Sequence, residues 1–295
     1  MSGRFGSVIT AMVTPFREDF SLDLKRAQSL ADELLNHGSD ALVVAGTTGE
    51  GSSLSHHEKE QLFHAVVEVA KDRGRVICNT GTYNTDESIE LTALAQKAGA
   101  DGALVVTPYY NRPPQPGLIA HFTAVARSTD LPIVLYNIPS RTACLIETDT
   151  VLRLASDVPN IVGVKDATSD FQAAVRIVKE SPPDFDLYSG DDASTFPYAC
   201  LGGAGVVAVS SHLAGERMKE MIEHVQAGDV ATGRKINEDL TPLYKGTLVT
   251  TNPIPVKAAL DILGRPVGPP RLPLVPATNE ERGKIEQALK DAGVA

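Results

Sequence analysis

The stretch ALVVTPYYNRPPQPGLIAHFTAVARSTDLPIVLY, residues 103–136, decides the fold. It opens on a short apolar run rich in branched side chains, Ala103–Val106, and passes through a proline-containing loop. Leu118–Arg127 follows, with apolar residues at spacings of three and four, and a second apolar run closes the stretch at Ile133–Tyr136. A strand with one wet face alternates polar and apolar residues. An unbroken apolar run implies burial on both faces, and a helical period between two such runs implies a crossover joining parallel neighbours.

The same unit recurs in both directions. Similar runs stand at Ser7–Thr10, Ala41–Val44, Arg75–Asn79, Ile161–Lys165, Asp186–Ser189 and Val206–Val209, which makes eight candidate strands with the two above. Helical periods fill the gaps at Leu24–Leu35, His56–Lys71, Ser88–Ala98, Thr148–Leu154 and Phe171–Lys179. Eight such units allow the sheet to close, so the expected fold is α/β, a (β/α)8 barrel. Ser55 with Glu58, and Thr85 ahead of Ser88, mark helix starts, while Gly38, Gly74 and Gly99 mark ends. An open, doubly wound sheet is disfavoured because no G-x-G-x-x-G opens a helix after the first strand. From about Gly215 the text is helical, broken near Thr251–Pro255 and Gly264–Pro276. The expected division is a catalytic barrel over 1–225 and a C-terminal helical domain over 226–295.

Composition excludes several classes. The chain has 295 residues, 42% apolar and 22% charged, as an ordinary globular protein does. Its net charge of −10 repels nucleic-acid backbones and anionic membrane surfaces. Met1–Thr10 lacks a basic segment followed by an apolar one, and no run approaches the roughly 20 apolar residues of a membrane helix, so a cytoplasmic location is expected. Cys78, Cys144 and Cys200 are widely spaced in apolar text and are expected to be buried, reduced thiols. Asp191-Asp192 and His56-His57-Glu58 lack the spacing of a metal site and read as solvated charges; no metal is expected.

In such a barrel the chemistry sits where strands end. Strand two runs into Gly46-Thr47-Thr48-Gly49-Glu50, strand four into Thr107-Pro108-Tyr109-Tyr110-Asn111, and strand five into Tyr136-Asn137-Ile138-Pro139-Ser140-Arg141-Thr142; strand six ends on Lys165-Asp166. Lys165 follows four apolar or small residues and points to the barrel mouth. Burial disfavours an ammonium ion, and a neutral amine attacks ketones. A lysine paired with Asp166 or another rim carboxylate is the alternative. Tyr136 on the neighbouring strand either shuttles protons for that amine or is a core phenol bonded to backbone. The glycines and hydroxyls of residues 46–49 suit a carboxylate, and Arg141 either clamps a second carboxylate or pairs with Glu147.

Together these motifs, with Gly163-Val164-Lys165-Asp166-Ala167, Ser189-Gly190-Asp191-Asp192, Asn252-Pro253-Ile254-Pro255-Val256-Lys257 and Arg271-Leu272-Pro273, resemble the dihydrodipicolinate synthase family over essentially the whole chain. The resemblance implies condensation of pyruvate with L-aspartate 4-semialdehyde on the route to diaminopimelate and lysine. It makes Lys165 the Schiff-base lysine and Tyr136 the proton donor and acceptor. Thr47 and Tyr110 complete a relay, with Tyr110 reaching into a neighbouring subunit's site. Thr48 and the backbone at Val207 would bind pyruvate, Gly190 would line the pocket, and Arg141 would hold the semialdehyde carboxylate. Neither a metal nor a redox cofactor is implied, and a homotetramer built as a dimer of dimers is.

Arg141 argues against two rivals with the same lysine and tyrosine, N-acetylneuraminate lyase and 2-keto-3-deoxy sugar acid aldolase, which handle polyhydroxylated chains. A non-catalytic keto-acid-binding barrel is argued against by the presence of Lys165, Tyr136, Thr47 and Tyr110 together. His56, Glu87 and Tyr109 match the family's lysine-effector site. Tyr83, Gly51 and Lys59 depart from it, and the bulk and charge of Tyr83 and Lys59 imply weak or absent inhibition by lysine.

Overall fold

The computed structural model describes residues 3–295. Eight parallel strands close in sequence order: β1 (Val8–Ala11), β2 (Ala41–Val44), β3 (Arg75–Asn79), β4 (Gly102–Val106), β5 (Ile133–Asn137), β6 (Ile161–Asp166), β7 (Asp186–Ser189) and β8 (Gly205–Ala208), with β8 pairing back onto β1. The helices between them are α1 (Leu24–Asn36), α2 (His56–Ala70), α3 (Thr85–Ala98), α4 (Gln115–Arg127), α5 (Pro139–Thr142), α6 (Thr148–Asp157), α7 (Phe171–Glu180) and α8 (Thr195–Cys200). After β8 come α9 (Ser211–Gln226), α10 (Val230–Gly246), α11 (Ile254–Ile262) and α12 (Asn279–Asp291). No described helix is long and apolar enough to cross a membrane.

Two apolar layers explain why the strands read as unbroken runs. Leu42, Val44, Ala103, Val105 and Leu135 face the surrounding helices, while Val43, Ile77, Leu104, Val134 and Val207 fill the barrel interior. Period-two geometry sends alternate side chains to the two layers, and both are dry. The last four helices bury a third cluster, including Met218, Met221, Leu240, Leu243 and Leu289, against Val8, Val206 and Ala208 beside the β1–β8 seam.

One irregularity aims the chemistry. Between β5 and β6 the register runs Ile133 to Ile161 but Val134 to Gly163, so β6 carries one extra residue there. The bulge resets the alternation, and beyond it Tyr136 lies opposite Lys165 and Asn137 opposite Asp166. Gly163 is required at this point, since a Cβ would stand 2.7 Å from the Asp186 carbonyl oxygen.

Helix punctuation differs from expectation in two places. Ser55 and Glu58 form the expected capping box. The cap of α3, however, is Asn84, which accepts from the Asp86 and Glu87 amides, so Thr85 is already helical. Gly99 ends α3 in the left-handed conformation, whereas after α2 that conformation falls to Asp72 and not Gly74. Of the cysteines, Cys78 and Cys144 are buried and free; Cys200, at the end of the short α8, is exposed, contrary to the sequence expectation.

A buried ion pair ties the C-terminal segment to the loop after β2. Lys257 on α11 reaches Glu50 at 2.5 Å, and the two side chains are 3% and 2% exposed. Lys257 also donates to the Pro269 carbonyl and sits over the Phe16 ring, and the Arg271 amide donates to Glu50. Burial pulls the Lys257 ammonium below the ordinary lysine range, while the Glu50 charge pushes the other way. Breaking such a pair strands a charge in a dry site. Lys257→Met is therefore expected to destabilise the fold by about 3 kcal/mol in urea unfolding. The Glu50→Leu/Lys257→Met double variant should recover much of that loss, and a double variant no better than the single would contradict this account.

Candidate active site

Lys165 ends β6 pointing inward, 6% exposed, with Nζ 4.1 Å from the centroid of the Tyr136 ring. Among the described residues no carboxylate forms an ion pair with it. Asp166, the sequence alternative, faces the helices instead: it accepts from Tyr198 at 2.5 Å and Thr168 at 2.7 Å, with Asn137 at 3.3 Å. Burial raises the Asp166 carboxyl above its usual range, against those hydrogen bonds.

Both side chains open into a cavity of about 400 Å³. Thr47, Thr48, Arg141, Gly190 and Val207 line it, as the sequence reading required. Thr48 is buried, and the backbone amides of Thr47 and Thr48 donate to no acceptor among the described residues. The site therefore offers two amides and two hydroxyls a short distance from a lysine. Arg141 stands on α5 and makes no ion pair with Glu147 among the described residues, whose amide is instead bonded to Gln115. Gly190 packs so closely on Ala167 that a Cβ would come within 2.7 Å of the Ala167 Cβ.

Tyr110 does not join them. It is 90% exposed, sits at φ +71° and lines no part of this cavity. The sequence reading also missed one wall: Tyr244, Thr247 and Leu248 from the end of α10 and the loop beyond it, with Asn252 from the loop before α11. The helix break at Thr251–Pro255 marks the loop that carries Asn252, but nothing in that text tells which cavity the loop meets.

Of the groups read as solvated charges, His56 and His57 are exposed as expected, but Asp192 and Glu58 are not. Asp192 is buried and accepts from the Val209 and Ser210 amides, anchoring the turn after β8. Glu58 binds the Arg271 guanidinium at 2.5 Å, which, despite partial burial, brings its carboxyl down to about 2. Each carboxylate found donors that sequence spacing could not reveal. Among the described residues no group of three or more His, Cys, Asp or Glu is arranged to hold a metal ion.

A second cavity, of about 300 Å³, gathers His56, Lys59, Tyr83, Glu87 and Tyr109, and shares Thr47, Ile138 and Arg141 with the first. His56 lies 3.0 Å from Glu87, and the rings of Tyr83 and Tyr109 meet edge to face at 5.3 Å. Lys59 is buried in its wall; burial lowers its ammonium below the ordinary range, opposed by Glu87.

Comparison with known proteins agrees with this architecture. The family model described as Dihydrodipicolinate synthetase family matches residues 4–292. The 4-hydroxy-tetrahydrodipicolinate synthase of Moorella thermoacetica is 50% identical over 291 residues, covering 99% of both chains. A crystal structure of DHDPS from Cyanidioschyzon merolae with lysine bound superposes with a TM-score of 0.98 at 45% identity, covering 100% of each chain. The chloride-inhibited dihydrodipicolinate synthase from Acinetobacter baumannii, complexed with pyruvate, gives 0.95 at 38% identity, covering 99% of this chain and 100% of that one. An inward lysine beside a tyrosine at the mouth of a closed eight-stranded barrel, matched along almost its entire length, places this chain in the dihydrodipicolinate synthetase family.

Proposed function

We propose that the chain acts as a 4-hydroxy-tetrahydrodipicolinate synthase, with Lys165 as the nucleophile that captures pyruvate and L-aspartate 4-semialdehyde as the second substrate. The observation that carries this reading is the buried Lys165 amine, free of any carboxylate partner among the described residues and held over Tyr136 in the larger cavity.

The Lys165 amine adds to the ketone carbon of pyruvate, and the carbinolamine loses water through protons exchanged with Tyr136. The resulting iminium withdraws electrons, so C3 gives up a proton and becomes an enamine carbon. That carbon attacks the aldehyde of the semialdehyde. The semialdehyde's own amine then closes on the iminium carbon and displaces Lys165, which leaves as a free amine. Electron flow runs entirely through the iminium, so no metal or redox cofactor is needed. Thr48, with the free amides of residues 47–48 and the backbone at Val207, suits the pyruvate carboxylate, with Gly190 giving the room; Arg141 suits the carboxylate of the semialdehyde.

Tyr110 completes the relay with Thr47 and Tyr136 from a neighbouring subunit, a role that fits its exposure and its absence from its own cavity. A homotetramer fits a further feature: Phe171, Val175 and Val178 form an exposed apolar stripe on α7. The enzyme works in the cytoplasm, in keeping with a biosynthetic role. Borohydride reduction in the presence of pyruvate should add one pyruvate-derived mass to the peptide bearing Lys165. An unlabelled Lys165 in a preparation that turns over removes the central step, and preferred cleavage of a sugar acid in a direct assay would favour a rival aldolase.

The smaller cavity corresponds to the effector site inferred from His56, Glu87, Tyr109 and Tyr83. Its Lys59 side chain brings a cation where a cationic amino acid would sit, and Tyr83 narrows it. Initial rates should therefore be insensitive to micromolar lysine; inhibition in that range would refute the assignment.

A further inference from the structure

We propose that Asn252 is a positioning residue for the keto acid, acting through Thr48; this rests on the reading of residues 47–48 as the pyruvate-carboxylate site. Asn252 Nδ2 donates to Thr48 Oγ1 at 2.9 Å, across 204 positions of sequence, and both residues line the larger cavity. A hydroxyl whose oxygen already accepts a hydrogen bond has its own hydrogen left to give, and Thr48 Oγ1 donates to no other described residue. The amide thus sets the polarity of Thr48: it fixes the hydroxyl as a donor toward the cavity, where a carboxylate needs donors. The Asn252 Oδ1 atom is buried without a partner, so the Thr48 hydroxyl is the one hydrogen-bond partner of this side chain among the described residues. Asn252 lies just before α11, whose residues Ile254–Leu260 are all buried and whose Lys257 is tied to Glu50, two residues beyond Thr48.

The consequence is specific to one substrate and one kinetic parameter. Asn252→Ala removes the polarising donor and should raise half-saturation for pyruvate about tenfold, the size of a hydrogen bond to a charged group. The turnover number at saturating pyruvate and the KM for the aldehyde should change less than about threefold. Asn252→Asp replaces the donor by an acceptor, turns the Thr48 hydrogen away from the cavity, and should be worse than Asn252→Ala.

The test is a double-mutant cycle with Thr48→Val, read as the pyruvate concentration that gives half-maximal borohydride trapping, together with thermal melting of each variant. If Asn252 acts through Thr48, adding Asn252→Ala to Thr48→Val should change half-saturation by less than about twofold. An equal tenfold effect in both backgrounds overturns the proposal. So does wild-type half-saturation in either Asn252 variant, or a loss in which pyruvate, aldehyde and melting temperature all move together. Absence of pyruvate-dependent trapping in the unmutated enzyme would instead remove the Schiff-base reading itself.

Discussion

Lys165→Ala is expected to lower kcat by about four orders of magnitude or more, because deletion of a covalent nucleophile leaves only binding and positioning behind. Lys165→Arg is the more informative variant. It keeps a cation of similar reach in the same inward slot beside Tyr136 but presents no free amine. Both variants should fall together, and neither should gain mass on reduction with pyruvate. Activity of the arginine variant within about tenfold of wild type would mean that position 165 supplies charge and not a bond.

Tyr136→Phe is expected to lower kcat by about 10³, within the range of a general acid–base group. The ring that packs under Lys165 stays and only the hydroxyl goes, so the barrel interior should remain filled and the melting temperature nearly unchanged. Trapping of pyruvate should still occur, with a rate that falls alongside turnover, because carbinolamine collapse lacks its proton carrier. Unaltered trapping kinetics with the same loss of turnover would move the role of Tyr136 to the step after the enamine. An unaltered kcat would remove it from the chemistry.

The strands were legible because their surroundings are uniform. A segment dry on both faces reads as an apolar run, and Ala41–Val44, buried at every residue, keeps its expected bounds. The short helices were not legible: α5 and α8 span four and six residues, too few for a helical period to show. The start of α4 was read three residues late because Pro116 interrupts the pattern, although proline is tolerated in a first turn where its missing N–H is not needed. The cavity's barrel side could be read from strand ends. Its other wall, Tyr244 to Asn252, could not, since it is assembled by tertiary packing of the C-terminal helices. The burial of Asp192 and the exposure of Cys200 have the same origin: each depends on what lies across from it in space.

The extra residue in β6 makes the chemistry of this barrel a question of odd and even. Ile161 and Val164 both face the helices, and Lys165 faces the cavity because the strand takes one residue between them out of alternation. Smoothing the bulge without shortening the strand would turn the amine outward among the helices and draw Asp166 into the mouth, whereas loss of the codon for Gly163 would leave Ile161, Val162, Val164 and Lys165 in unbroken register with Ile133, Val134, Leu135 and Tyr136 and keep the amine inward. Whether the surplus residue is bulged or threaded into the alternation therefore decides which side chain, amine or carboxylate, meets the cavity.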